Sequence, residues 1–277
     1  ENLSTLVAAL ERADLVTTLA NQGPFTVLAP SNEAFNTFLS DNGFNNIDDV
    51  PVDVLNNILR NHVVGGRLES TDLTTGYAST FATTPASDAN MSIFIDISNG
   101  VKFNGISSVT DADISADNGI VHVVDAVIGL PSVVTFAVAD PTFSTLVAAL
   151  TRDDLTTDFV GVLSTATGTS PAPFTVFAPT NDAFGSLLSE LGIAGLADID
   201  EPTLDAVLKN HVVAGANVLD TDLTDDMTVT TLGGDITANV TGGATLTDSS
   251  GRVSDIIATN IQANNGVIHA INKVILP

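Results

Sequence analysis

Four histidines, His62, His122, His211 and His269, are the side chains best suited to chemistry near neutral pH, where imidazole titrates without help. Each lies among Val and Ile: Asn61-His62-Val63-Val64 recurs as Asn210-His211-Val212-Val213, and Gly119-Ile120-Val121-His122 as Gly266-Val267-Ile268-His269. If His62 faced His122 in solvent, or His211 faced His269, each pair could begin a metal-assisted site completed by a carboxylate such as Asp125. No cysteine and no His-x-x-x-His spacing supports that chemistry. The expected role is structural: a neutral ring hydrogen-bonded to backbone, locking a corner of the fold. No catalytic, cofactor-binding or metal residue is assigned.

Acidic clusters raise the question of calcium. Asp111-Ala112-Asp113 lies near Asp117-Asn118-Gly119, and Asp222 lies near Asp225-Asp226. Neither stretch has the ligand spacing of a calcium loop, so both are expected to be solvated acidic loops with weak affinity for divalent cations at most. Nucleophile elbows, phosphate loops and dinucleotide fingerprints are missing. The chain has no Trp and one Tyr, Tyr77, so it lacks the aromatic platforms usual in sugar-cleaving clefts. An enzyme is not expected.

The elements that hold these residues come in two copies. Pro24-Phe25-Thr26-Val27-Leu28-Ala29-Pro30-Ser31-Asn32-Glu33-Ala34-Phe35 returns as Pro173 to Phe184, identical at nine of twelve positions. Each copy predicts a buried strand, a proline that stops it, a Ser or Thr able to cap a helix, and an acidic residue in the first turn. The helix that follows should bury Phe35, Phe38 and Leu39, or Phe184, Leu187, Leu188 and Leu191. Leu3 to Leu10 matches Phe143 to Leu150, and Ser132 to Ala139 predicts an opening helix for the second copy alone. The first copy is therefore expected to have lost its opening helix upstream of Glu1, as a trimmed chain would.

Further helices are predicted around Leu15 to Ala20 and from Val52 and Leu204 into the histidine motifs. Strands are predicted at Ser92 to Ile97, Val101 to Phe103, Thr228 to Leu232, Asp235 to Val240, and in the two terminal Asn-Gly segments. Tyr77 to Asn90 and the insertion Ser164 to Ala172 are expected as surface loops. Helices first and strands later argue for two α+β domains, 1–131 and 132–277.

Composition narrows the partners. With 33 acidic against 8 basic residues the net charge is −25, which repels nucleic acid and anionic headgroups and suits salty surroundings, marine or halophilic. No apolar run approaches the ~18–20 residues that span a bilayer, so direct membrane insertion is not expected.

The Thr-Val-Leu/Phe-Ala-Pro corner, the central Asn-His-Val-Val and the terminal Asn-Gly strand, in order and in both halves, resemble the fasciclin (FAS1) domain. The resemblance implies a wedge of two β-sheets with helices packed over it, in secreted or surface-anchored proteins that mediate adhesion. The partner would be a cell-surface or matrix protein or a polysaccharide, met outside a microbial cell. Residue-level support for animal-type integrin recognition is thin. The tyrosine often preceding the central histidine is Asn61 and Asn210 here, and of the Asn-Lys-Asp-Ile-Leu motif only Asp113-Ile114 survives. Those four are the adhesion-motif candidates. The alternative is a secreted protein that binds a small ligand or lipid in a pocket between sheet and helices.

Overall fold

The computed structural model describes residues 2–21 and 23–277. Two compact units emerge: residues up to Thr83 with Ala89–Pro131, and Ser132–Pro277, with which the short stretch Thr84–Asp88 is grouped.

In the first unit, α1 (Ser4–Arg12) and α2 (Val16–Ala20) precede β1 (Phe25–Pro30), α3 (Asn32–Asp41) and α4 (Val52–Asn61). The rest is β2 (Val63–Gly65), β3 (Gly76–Thr83), β4 (Asn90–Asp96), β5 (Lys102–Phe103), β6 (Ser107–Ala116) and β7 (Gly119–Val124). In the second, α5 (Val133–Ala139), α6 (Ser144–Leu150) and α7 (Phe159–Leu163) lead to β8 (Phe174–Pro179), α8 (Asn181–Leu191) and α9 (Glu201–Lys209). Then come β9 (Val212–Ala214), β10 (Met227–Thr230), β11 (Asp235–Asn239), β12 (Thr245–Thr247), β13 (Val253–Ala263) and β14 (Gly266–Ile271). Helices first and strands later make each unit α+β.

The corner strand lies parallel to the terminal strand in both units: Val27 pairs with Val121, and Val176 with Ile268. Among the described residues each unit has seven strands. They form two sheets, which in the first unit close into a ring through one residue pair, Val64 with Thr80. The second unit has in that place only the Leu232 N–H donating to Val212 O at 2.8 Å, and its strand order stays open.

The corner works as its residue types demand. Ser31 and Thr180 accept from the Ala34 and Ala183 N–H groups, satisfying helix-end donors that would otherwise be orphaned. Asn32 and Asn181 each accept a backbone amide from the first turn of a neighbouring helix, Thr5 of α1 and Thr145 of α6. Phe35, Phe184 and Leu187 are fully buried, but Leu191, expected in the core, is 52% exposed. It is the last residue before the left-handed cap at Gly192 and borders an open cleft with Ile199 and Pro277.

Two expectations of loops are corrected. Tyr77 to Asn90 is mostly strand, β3 and the start of β4, with a turn only between them. Its Ala, Ser and Thr residues hid a ladder carried by backbone pairs such as Tyr77 with Phe94. The acidic run Asp111 to Ser115 is likewise in β6, paired with β7, while its carboxylates stay on the solvent side. Two register shifts in β6 and two in β13 break the alternation that would have revealed these strands.

Candidate functional site

The site the sequence singles out is the set of histidines with the residues around them. His62 follows α4 directly, so its Nδ1–H reaches back to Ile58 O at 2.8 Å while Nε2 accepts the Ile128 N–H at 2.9 Å. His211 repeats this with Val207 O and the Ile275 N–H, at 2.8 and 2.9 Å. Each ring ties the end of a helix to the segment leaving the terminal strand. One neutral tautomer satisfies both nitrogens, and burial lowers both pKa values to about 4.

His122 and His269 do a related task on the terminal strands. Their Nε2 atoms stand 2.9 Å from Leu68 O and Val218 O. Nδ1 of His122 accepts the Asp113 N–H at 3.2 Å, whereas Nδ1 of His269 has no hydrogen-bond partner among the described residues. Burial lowers the pKa of His269, opposed by the Val218 carbonyl and the charge of Asp220. All four rings are buried, so none presents a solvent-facing pair of the kind a metal-assisted site would need. Among the described residues no group of three or more His, Asp or Glu side chains is placed to hold a metal ion.

The adhesion-motif candidates divide sharply. Asn61 and Asn210 are 0% and 2% exposed, which removes them from any contact surface. Asn61 donates to Gly129 O at 3.0 Å and accepts from the Thr80 hydroxyl at 3.2 Å, and Asn210 meets Thr231 in the same way. A polar residue here serves the buried carbonyls, which sequence alone did not reveal. Asp113 and Ile114 do lie at the surface, on the second bulge of β6, with Asp113 at φ 62°. The Asp113 carboxylate accepts from the Ser70 N–H and hydroxyl, at 2.7 and 2.6 Å, and the hydroxyl foremost holds its pKa below the ordinary carboxylate range. Asn260, at φ 57°, is its counterpart, accepting from the Asp220 N–H and donating to its carboxylate, but the following Ile261 is buried.

Ser70 and Asp220 anchor these bulges, and their one sequence signal is the Thr-Asp-Leu that follows each, Thr71 to Leu73 and Thr221 to Leu223. The other acidic cluster is equally occupied: Asp225 accepts from the Val240 and Thr241 N–H groups and from the Thr241 hydroxyl. Its pKa is lowered by these bonds, the Thr241 hydroxyl first.

Nine phenylalanines are almost wholly buried and fill the two cores. Clefts remain between some of the helices and what they pack on. One, of about 100 Å³, lies among α5, α6 and α7 over Val176, Ala178 and Ile268 and is walled by apolar atoms. No single described helix is long and apolar enough to cross a membrane.

Comparison with known proteins follows the same duplication. The fasciclin domain model matches residues 1–131 and again 141–277. Human periostin is 29% identical over 262 residues, 94% of this chain but only 29% of periostin's own length. A fasciclin-like arabinogalactan protein of Arthroderma benhamiae is 27% identical over 275 residues, covering 94% of this chain and 60% of that protein. An uncharacterized Synechocystis protein is 38% identical over 148 residues, 53% of this chain and 98% of its own. Among solved structures, a FAS1 domain pair from the insect cell adhesion molecule fasciclin I is similar in fold. It covers 99% of this chain and 97% of its own, with a TM-score of 0.58 at 18% identity.

Proposed function

Because the chain belongs to the fasciclin domain family, we propose that it is a non-catalytic adhesion module of two domains, 1–131 and 132–277, acting outside the cell or on its surface. The observation that carries this reading is the match of both repeats, not one, to the family, alongside a likeness in fold to a pair from a cell adhesion molecule. The buried histidines and occupied carboxylates favour it over catalysis, since each of the four rings and Asp113 already bonds the chain's own backbone. The partner is a cell-surface or matrix protein or a polysaccharide. Two linked copies raise avidity for a repetitive surface even where each contact is weak. Contacts are assigned to the insertion Ser164 to Ala172 and to the exposed Ile114 beside Asp113.

Beads coated with the chain should adhere to cells of the producing organism, and beads coated with either repeat alone should adhere at least about tenfold less. Thr169→Glu and Ser170→Glu, at exposed positions of the insertion, together with Ile114→Ser should reduce adhesion while leaving the circular dichroism spectrum unchanged. Equal adhesion of coated and uncoated beads would overturn the function, and undiminished adhesion of the altered chain would overturn the placement.

A further inference from the structure

Arg60 stands apart from the other arginines. Arg12, Arg67, Arg152 and Arg252 each pair with a carboxylate, and so does Lys209, but the Arg60 side chain meets no carboxylate among the described residues of a chain that carries 33 acids. The repeat shows what changed. Lys209 occupies the equivalent position on α9 and pairs with Asp205 one turn earlier. In the first unit that earlier position is Asn56, whose side chain donates to Ala13 O at 2.9 Å instead. The cation has therefore lost its internal neutraliser.

What Arg60 borders is a cleft of about 100 Å³ among α2, α4 and strands β1 to β3. Its walls are Leu15, Leu19, Phe25, Val63 and Phe81. The two rings meet edge to face, 5.7 Å between centroids at 77°, and Phe81 is 41% exposed. In the second unit the ring equivalent to Phe25, Phe174, is wholly buried. For scale, a dry engineered cavity of about 150 Å³ takes up benzene. A space somewhat smaller but open at one side suits a phenyl ring or a short branched alkyl group, with the rest of the ligand at the mouth.

We propose that this cleft binds a small carboxylic acid with an apolar body, its hydrocarbon part against Phe25, Phe81 and Leu19 and its carboxylate on Arg60. The guanidinium fork suits a carboxylate's two oxygens, and its attraction falls on a group the protein's own charge would otherwise turn away. The apolar walls supply most of the binding and the arginine selects the acid over a neutral isostere. The site lies in the first domain alone, which fits the loss of Asp205's counterpart only there.

The test is a titration of the intact chain with 3-phenylpropanoate and, in parallel, with neutral 3-phenylpropanamide, followed by nuclear magnetic resonance. The acid should shift the Leu19 and Val63 methyl signals and the Phe81 ring signals saturably, with a Kd of about 1 mM expected for a ligand of this size. Signals of Leu163, Val212 and Leu232 in the second domain should stay in place. The amide should bind about tenfold more weakly. Arg60→Gln should weaken the acid to the level of the amide without altering the amide. Asn56→Asp, which restores the second domain's arrangement, should do the same with the cleft walls intact. Absence of saturable shifts, equal affinity for acid and amide, or an acid affinity untouched by Arg60→Gln would each overturn the site; should Asn56→Asp disturb the fold, Arg60→Gln decides.

Discussion

His62 and His211 bear most directly on how single residues hold the molecule. Each is locked as a neutral ring between a carbonyl and an amide, so protonation of Nε2 would turn an acceptor into a second donor facing the Ile128 or Ile275 N–H. With folded pKa values of about 4 against an ordinary 6.5, the unfolded chain binds more protons between those limits. The contribution is thus fully present above pH 6.5 and is lost as pH falls toward 4. The linkage slope is about 1.4 kcal/mol per pH unit for one proton, and about 3 kcal/mol over the whole window for each domain. Urea unfolding at pH 7.0, 5.5 and 4.5 in 0.5 M NaCl, where surface repulsion is screened, should show the first domain losing stability with that slope and the second more steeply, since burial lowers the pKa of His269 as well. A flat profile would mean that the rings carry no linked proton. Below about pH 4 the loss should continue through Asp113 and Asp225, whose carboxyls hydrogen bonding holds below their usual range.

At the scale of elements, the Asn-Gly pair that opens each terminal strand is explained by two separate needs. Asn118 donates to Leu19 O and Asn21 O, closing the end of α2, and Asn265 closes α7 through Leu163 O and Thr165 O. The glycine lets β7 approach β1: a Cβ on Gly119 would stand 2.2 Å from Phe25 O, and one on Gly266 2.3 Å from Phe174 O. Gly119→Ala should therefore cost roughly 3 kcal/mol or more in urea unfolding, because the parallel pair must separate. Gly129→Ala, where no atom lies within 4 Å, should change stability by less than about 0.5 kcal/mol and serves as the control. The corner and its helices were legible because proline, capping side chain and apolar spacing all pointed to one answer. The strands β6 and β13 were not, since exposed Ile114, Val253 and Ile257 lie among polar neighbours and the bulges at Asp113 and Asn260 interrupt the period of two. Burial of the histidines could be read from their Val and Ile neighbours. That of Asn61 and Asn210 could not, because their partners, Gly129 O and the Thr80 hydroxyl for Asn61 and the Thr231 hydroxyl for Asn210, are distant in sequence.

For the whole molecule the governing quantity is a net charge of −25. Two electrostatic effects compete when salt is added. Ion pairs such as Arg12 with Asp48 and Arg252 with Glu190 have well-exposed carboxylates, so each is worth no more than a few tenths of a kcal/mol to lose. Against them stands repulsion among the many carboxylates that have no cation to meet, spread over both repeats and screened as the Debye length shrinks from about 30 Å at 0.01 M to below 8 Å at 0.5 M. Repulsion outweighs the pairs. The thermal midpoint should accordingly rise by roughly 5 °C between 10 mM and 0.5 M NaCl, the equivalent of about 1–2 kcal/mol per repeat. A midpoint that falls would show that the pairs dominate. The same field bears on the partner: a polyanion such as heparin should not bind the chain even at 10 mM salt, whereas a basic or neutral surface can be approached. Retention on a heparin column at low salt would contradict that electrostatic account and redirect the search for the adhesion partner toward acidic polysaccharides.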